Sequence, residues 1–550
     1  MHNKIVKTIL LIPIFTILLL SETAIPDTFD LRNYQDTTFV TSVKSQKGGT
    51  CWTHGTMAAI EGNLMMTGNW TVEGETGEPN LAEYHLDWWN GFNKFNNDDI
   101  LPDSGGLDVH KGGDYRVATA YLSRGEGAVR DIDGQSYEPN PVRDSSSYHY
   151  YYVRNVEWYT IDSALTNIDT VKRAIMEHGV LATCYYSSDE FYDGNIHYQP
   201  YSDSNDPNHS VAIVGWNDNK ETQADGNGAW LVKNSWGTGK GEDGYYWISY
   251  YDKHSGKNPE MGAVSFQDVE KMKYDKIYYH DYHGWRDTKT DVNKAFNVFV
   301  SENNSLYLEE IKAVSFFNAV DDVNYTIKIY NKFKGNQLSE LLTSQSGHIQ
   351  HTGFHTIDLD STITLSENDS FFVYLEFDKG GYPYDCTSEV PVLLTPKDKY
   401  FLQSKSNMSN TIVTSSANAG ESYYFENESW HDLHDFDSTA NFCIKVLTNY
   451  VPTTSIEMQT NSPDKFKLFQ NYPNPFNPST NITFELNQES KVKLVIYNIQ
   501  GKIITTLLNE KLSADNYSIN WTPNFISSGI YIYRLTINDK SVSKKCVFIK

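Results

Sequence analysis

Cys51 heads a stretch whose residue types favour a reactive thiol. In SVKSQKGGTCWTHGTMAAIEGNL, Gly48, Gly49 and Thr50 come directly before it, and Met57, Ile60 and Leu64 follow at helical spacing. The thiol is therefore expected in the first turn of a helix, with Thr50 as N-cap. The positive end of the helix dipole and the first-turn amides stabilise thiolate over thiol, which makes a nucleophile. An isolated cysteine is more often a buried structural residue, but a second pair of motifs shifts that balance. NHSVAIVGW places His209 just before an alternating strand, GAWLVKNSWG ends another at Asn234, and the turn-rich NDNKETQADGNG lies between them. Paired as an antiparallel hairpin, Val211 to Trp216 against Ala229 to Asn234, the strands bring His209 beside Asn234. An amide oxygen accepting from one imidazole nitrogen fixes the tautomer and ring orientation, leaving the other nitrogen to take the thiol proton. His54, one helical turn past Cys51, is a rival base without a partner like Asn234.

The rest of the chain must position these groups. At 550 residues it exceeds what one core can bury, so about three domains are expected. Aromatic content of 14% and hydrophobic content of 39% argue for folded material, and a formal charge of -25 argues against nucleic acid as a partner. Lys4 and Lys7, the apolar run Thr8 to Leu20 and the small or polar residues Ser21 to Ala24 read as a secretory signal peptide over residues 1–24. No later apolar stretch approaches ~20 residues, so the mature chain is expected to carry no transmembrane segment. The five cysteines, Cys51, Cys184, Cys386, Cys443 and Cys546, are an odd number, so intramolecular disulfides cannot take them all.

Residues 25–268 mix helices, near Cys51, Asp114 to Ser123 and Asp169 to His178, with hairpins. Residues 274–449 change to short alternating runs such as YTIKIYN, FHTIDL and FFVYLEF, an all-β pattern. Residues 450–465, rich in Pro, Thr, Ser and Asn, read as a linker, and 466–550 as a small β-sandwich of strands such as KLVIYNI and GIYIYRLTI.

From IPDTFDLR at Ile25 to GEDGYYWISYY ending at Tyr251 the chain resembles the papain-like cysteine peptidases. The order Cys-Trp, Gly-Gly, His, then Asn-Ser-Trp-Gly is more specific than any one member. The resemblance implies an α+β peptidase of two lobes, one helical and one β-barrel-like, in which Cys51, His209 and Asn234 are catalytic. By the same likeness Gln46 is the side-chain donor of the oxyanion hole beside the Cys51 amide. Trp236 shields the His–Asn hydrogen bond, and Gly112 with Gly113 lie along bound substrate. Gln46 stands one residue nearer the cysteine than is usual in the family, and the family's common disulfides are missing. The match to the mature enzyme starts directly after the signal peptide, which implies no N-terminal zymogen. Residues 274–449 resemble the lectin-like domain of bacterial members, including ESYYFENESWHDL around Trp430; exposed aromatics can stack on sugars, but Trp430 and the tyrosines near it are more often core residues. FQNYPNPFNPSTNITFEL and the strands after it resemble the C-terminal sorting domain of type IX secretion substrates.

Together these readings describe a secreted or surface-bound cysteine endopeptidase of a Gram-negative bacterium, with no metal or cofactor. Its expected partners are protein or peptide substrates, the type IX machinery and glycans. Rival readings are a surface adhesin on an inactive peptidase scaffold and a Cys-His amidase acting on cell-wall peptides. Mass spectrometry of the activated protein is expected to find no segment beyond Ile25 removed from the N-terminus; removal of one would contradict the zymogen-free reading.

Overall fold

The computed structural model describes residues 24–100, 105–302, 307–366, 368–393, 408–452, 466–474, 476–498, 502–523, 526, 528–538 and 540–548. Residues 1–23 of the expected signal peptide and residues 453–465 of the expected linker lie outside the described residues. Four helices matter for the site: α1 (Cys51–Thr67), α2 (Glu83–Trp89), α3 (Tyr115–Ser123) and α4 (Ile168–His178). Helix α1 is buried all round from Cys51 to Leu64, as befits a central helix without a solvent face, and ends where Gly68 turns left-handed at φ +73°. Asp114 caps α3, its carboxylate accepting from Val117 N at 2.7 Å. Thr50, expected to cap α1, does not: its hydroxyl donates backward to the Lys47 carbonyl (2.9 Å), and its backbone (φ -109°, ψ 25°) is not the extended one from which a cap reaches forward.

Among the described residues the largest sheet has thirteen strands. Its main members are β1 (Asn155–Tyr159), β2 (Leu181–Tyr185), β3 (His209–Asn217), β4 (Ala229–Lys233), β5 (Tyr245–Ser249), β6 (Ala263–Gln267), β7 (Tyr307–Asn318), β8 (Gly353–Leu365) and β9 (Ile444–Pro452). They lie in the order β9-β7-β8-β1-β6-β2-β3-β4-β5. The expected hairpin is β3 with β4, antiparallel, with Ala212 opposite Lys233 and a bulge between Ile213 and Gly215. Strand β3 begins at His209 itself and is buried from His209 to Trp216 rather than on alternate residues. It lies mid-sheet between β2 and β4 with α1 and α4 packed on it, so both of its faces are interior.

The sheet runs without a break from the peptidase-like region into the β-rich one, because β8 pairs with β1 through Gly353↔Glu157, Phe354↔Val156 and His355↔Asn155. Residues up to Val451 accordingly form one compact unit. Residues 313–318 of β7, 353–356 of β8 and 444–448 of β9 are buried at consecutive positions, so on both faces. Ala313, Phe317, Phe354 and Leu447 join the core around α1, whereas Val314, Phe316, Ile363 and Val446 face a second, six-stranded sheet. Strand β9 continues to Pro452, three residues into the stretch that reads as linker. In the C-terminal unit, sheets of three and four antiparallel strands share a core that includes Ile482, Phe484, Leu494 and Tyr533.

Phe354 carries the seam, at 1% exposure. Phe354→Ala is expected to lower the stability of this unit by about 3 to 5 kcal/mol, read by urea unfolding. A loss well under about 1 kcal/mol would mean that the joined sheet is not held by this contact.

Candidate active site

The segment before α1 and the segment after β4 run side by side. Gln46 N donates to Ser235 O (2.8 Å), Gly237 N to Lys44 O (3.0 Å), and Ser45 bridges Trp236. Gln46 and the Asn234–Gly237 stretch are thereby set by one backbone ladder. The Ser235 hydroxyl donates to Gln46 Oε1 (2.6 Å), and Gln46 Nε2 gives one of its two hydrogens to Gly48 O (2.9 Å). On the β side, His209 Nε2 donates to Asn234 Oδ1 at 2.8 Å, which places the lone pair of the neutral ring on Nδ1. That ring is held on two sides. Trp236 stacks on it with centroids 4.4 Å apart and planes 24° apart, and Tyr185 meets it edge-on at 5.6 Å from the paired position on β2.

Cys51 and His209 are both buried. Gly55, one turn along α1 from Cys51, explains how closely the helix and β3 approach. A Cβ there would collide with Ser210 Oγ and lie 2.8 Å from the Tyr115 hydroxyl, which itself bonds to Ser210, the residue after His209. Burial, with a smaller contribution from the neighbouring Cys51, pushes the Tyr115 phenol well above its ordinary value and that of Tyr185 up to about 12. The thiol thus lies within electrostatic reach of residues on either side of His209. Gly112 (φ +104°) and Gly113 lie on the other flank of Cys51, where a Cβ on Gly113 would sit 2.6 Å from the Trp52 indole. The structure therefore gathers Cys51, Gln46, Gly112 and Gly113 from the helical side and His209, Asn234 and Trp236 from the sheet. His54, the rival base, is turned away from that role: its Nδ1 donates to Thr50 O (2.8 Å) and burial lowers its pKa.

The sequence reading missed the ion network below the site. Lys44 Nζ meets Glu61 Oε1 of α1 at 2.7 Å and Glu83 Oε1 of α2 at 2.6 Å. Glu61 Oε2 accepts from Thr41 Oγ1 (2.6 Å), which in turn receives Lys233 Nζ (2.9 Å). The network fastens the segment carrying Gln46 to the helix carrying Cys51 and to the strand end carrying Asn234. The two carboxylates outweigh burial and push the Lys44 ammonium up, while burial lowers Lys233 to about 8. The cavity bordered by Lys44, Gly55, Glu61 and Ser210 measures about 20 Å³, room for roughly one water and too small for a peptide.

Residues 25–263 match the model of the papain family cysteine proteases, 277–448 that of the lectin like domain, and 470–550 that of a secretion system C-terminal sorting domain. Residues 25–263 thus carry a papain family cysteine protease domain, and the sorting domain at the end of the chain indicates secretion or the cell surface. A cathepsin L-like peptidase of Aedes aegypti is 29% identical over 212 residues, 38% of this chain and 54% of that one. Procathepsin L of Rattus norvegicus is 28% identical over 236 residues, 41% of this chain and 60% of that one. The chain thus spans between half and two thirds of the length of these curated relatives. The cysteine protease and lectin-like domains of Cwp84, a surface layer associated protein of Clostridium difficile, share the fold. They have a TM-score of 0.56 at 23% identity, covering 75% of this chain and 87% of that one. Among the described residues no helix is long and apolar enough to cross a membrane. Trp430, considered above as a sugar platform, is half-buried and packs on Phe296 (4.7 Å) and Tyr374 (6.0 Å).

Away from Cys51, ligand atoms of Asp99, His283 and Asp385 lie within 4.8 Å of one another, two carboxylates and an imidazole that a cation can use. Protein groups already answer them. His283 Nε2 donates to Gly91 O (3.1 Å), so Nδ1 of the neutral ring accepts from the Ser415 hydroxyl (2.8 Å). With that hydroxyl hydrogen spent, the contact of 2.7 Å between Ser415 Oγ and Asp385 requires a proton on Asp385. Burial, reinforced by Asp99, pushes the Asp385 carboxyl up to about 8, and burial takes His283 well below its ordinary value. A carboxyl raised on folding stabilises fully below its unfolded value, near 3.9, and that contribution is lost as pH rises through about 8. Asp385→Asn copies the protonated group. It is expected to match the parent below about pH 4 and to exceed its stability by a growing margin as pH rises toward about 9 in urea unfolding; parallel pH profiles would refute the shared proton.

Proposed function

We propose that the chain is a secreted cysteine endopeptidase that hydrolyses peptide bonds in proteins, with Cys51, His209 and Asn234 as its catalytic residues. The observation that carries this reading is the His209–Asn234 hydrogen bond of 2.8 Å, sheltered by Trp236, on a ring set beside the helix that begins with Cys51. The Asn234 oxygen holds the proton on Nε2, so Nδ1 accepts the thiol proton and leaves an ion pair. The Cys51 thiolate attacks the scissile carbonyl. The Cys51 amide and the second Gln46 Nε2 hydrogen receive the developing oxyanion. Imidazolium at His209 then gives its proton to the leaving amine, and water deprotonated by the same ring clears the acyl-enzyme. By the family likeness Gly112 and Gly113 would lie along bound peptide, with the Trp52 indole filling the space that a side chain on Gly113 would need.

Endopeptidase action is preferred because the sequence carries no paired-histidine insertion that would block one end of the cleft. The sorting domain supports export by the type IX machinery of a Gram-negative bacterium, to the medium or the cell surface. Domain limits of 25–268, 274–449 and 466–550 follow the composition shifts, although the first two share a sheet. Glycans remain partners only through the lectin like resemblance, since Trp430 is taken up in packing.

Cys51→Ala is expected to remove hydrolysis of an unfolded protein substrate by at least about 10³-fold. It should also abolish labelling by an epoxysuccinyl thiol inhibitor. Asn234→Ala is expected to lower kcat by about 10- to 100-fold with less change in KM, because it loosens the ring without removing a reacting atom. Labelling that survives in Cys51→Ala, or a parent that cleaves peptidoglycan and no protein, would overturn the assignment.

A further inference from the structure

His110 lies two residues before Gly112 with φ +66°, in the left-handed region that residues other than Gly, Asn, Asp and His seldom adopt. Asp87 of α2 holds it there. The buried carboxylate accepts from the His110 backbone N–H (Oδ2, 3.1 Å) and meets the ring Nδ1 at 2.5 Å. The opposite face of the imidazole stacks on Tyr137, with centroids 3.8 Å apart and planes 16° apart, and Trp88 closes one edge at 5.1 Å. In this conformation the His110 carbonyl accepts from Gly49 N at 2.7 Å, and Lys111 forms a parallel bridge with Gly49. Gly48 is equally close: a Cβ there would lie 3.0 Å from His110 O and 2.9 Å from the Tyr137 hydroxyl.

The consequence concerns the reacting groups. Gly49 is two residues from Cys51, and Gly48 accepts from Gln46 Nε2, so the turn pinned by His110 carries both donors of the proposed oxyanion hole. Among the described residues no disulfide ties this turn to the glycine pair. The Gly49–His110 hydrogen bond and the Gly49–Lys111 bridge join them, and Asp87 fixes His110 in place.

We propose that Asp87 and His110 are positioning residues for the active-site turn, holding Gly48 to Cys51 against Gly112 and Gly113 so that the oxyanion donors are aligned before substrate arrives. The proposal rests on the peptidase reading. It separates oxyanion alignment, which depends on the turn, from formation of the thiolate, which depends on His209 and Asn234.

The test compares peptide hydrolysis with alkylation of Cys51 by iodoacetamide, which needs the thiolate and no oxyanion hole, in the full chain. His110→Ala is expected to lower kcat by about 10- to 100-fold, the cost of a misplaced reacting geometry. KM should change by under about threefold and the alkylation rate by under about threefold. His110→Asn is expected to recover most of kcat, because Asn accepts the left-handed backbone. Asp87→Asn, which keeps the shape of the side chain and removes its charge, is expected to fall between the two and stands in if His110→Ala does not fold. A folded His110→Ala or Asp87→Asn that turns over within about twofold of the parent would overturn the proposal, and so would kcat and alkylation falling together. Failure of both variants to fold would make the pair a folding requirement and overturn it as well. A parent without Cys51-dependent hydrolysis would instead sink the peptidase reading and take this proposal with it.

Discussion

The site depends on how closely helix α1 can approach strand β3. Nothing larger than the hydrogen of Gly55 separates the second turn of that helix from Ser210 and Tyr115. A side chain there would push Cys51 away from the strand that delivers His209. In the proposed mechanism the Cys51 thiol passes its proton to His209, which needs hydrogen-bond distance, so a displacement of one carbon would disable that step while leaving both residues intact.

The environment then makes that approach rigid. His209 is held by three independent groups: Asn234 in its plane, Trp236 on one face and Tyr185 at an edge. Below, Lys44, Glu61, Glu83 and Lys233 place charges in the interior, which costs solvation that only close pairing returns. The return here is positional, since Lys44, Glu61 and Lys233 belong to the three segments that carry Gln46, Cys51 and Asn234, and Glu83 anchors Lys44 to α2. The continuous sheet extends the same logic outward. Because β8 pairs with β1, the β-rich region braces the strands behind the site rather than hanging from a flexible joint. A composition shift near residue 270 therefore marks a change of pattern, not a break in packing.

What the sequence alone determined about this protein is local or carried by ordered motifs. The helix starting at Cys51, the helices near Tyr115 and Ile168, the hairpin linking His209 to Asn234 and the two strand-rich regions all follow from spacing and turn residues a few positions apart. What only the tertiary structure decided spans long separations or reverses a local preference. The Thr50 hydroxyl turned backward, and β3 lost its alternation by lying mid-sheet. Lys44 with Glu83 and Asp87 with His110 leave no trace in spacing, because a charge is indifferent to where along the chain its partner lies. The left-handed backbone at His110 was equally hidden, since the carboxylate that accepts from its N–H lies 23 positions earlier in the chain.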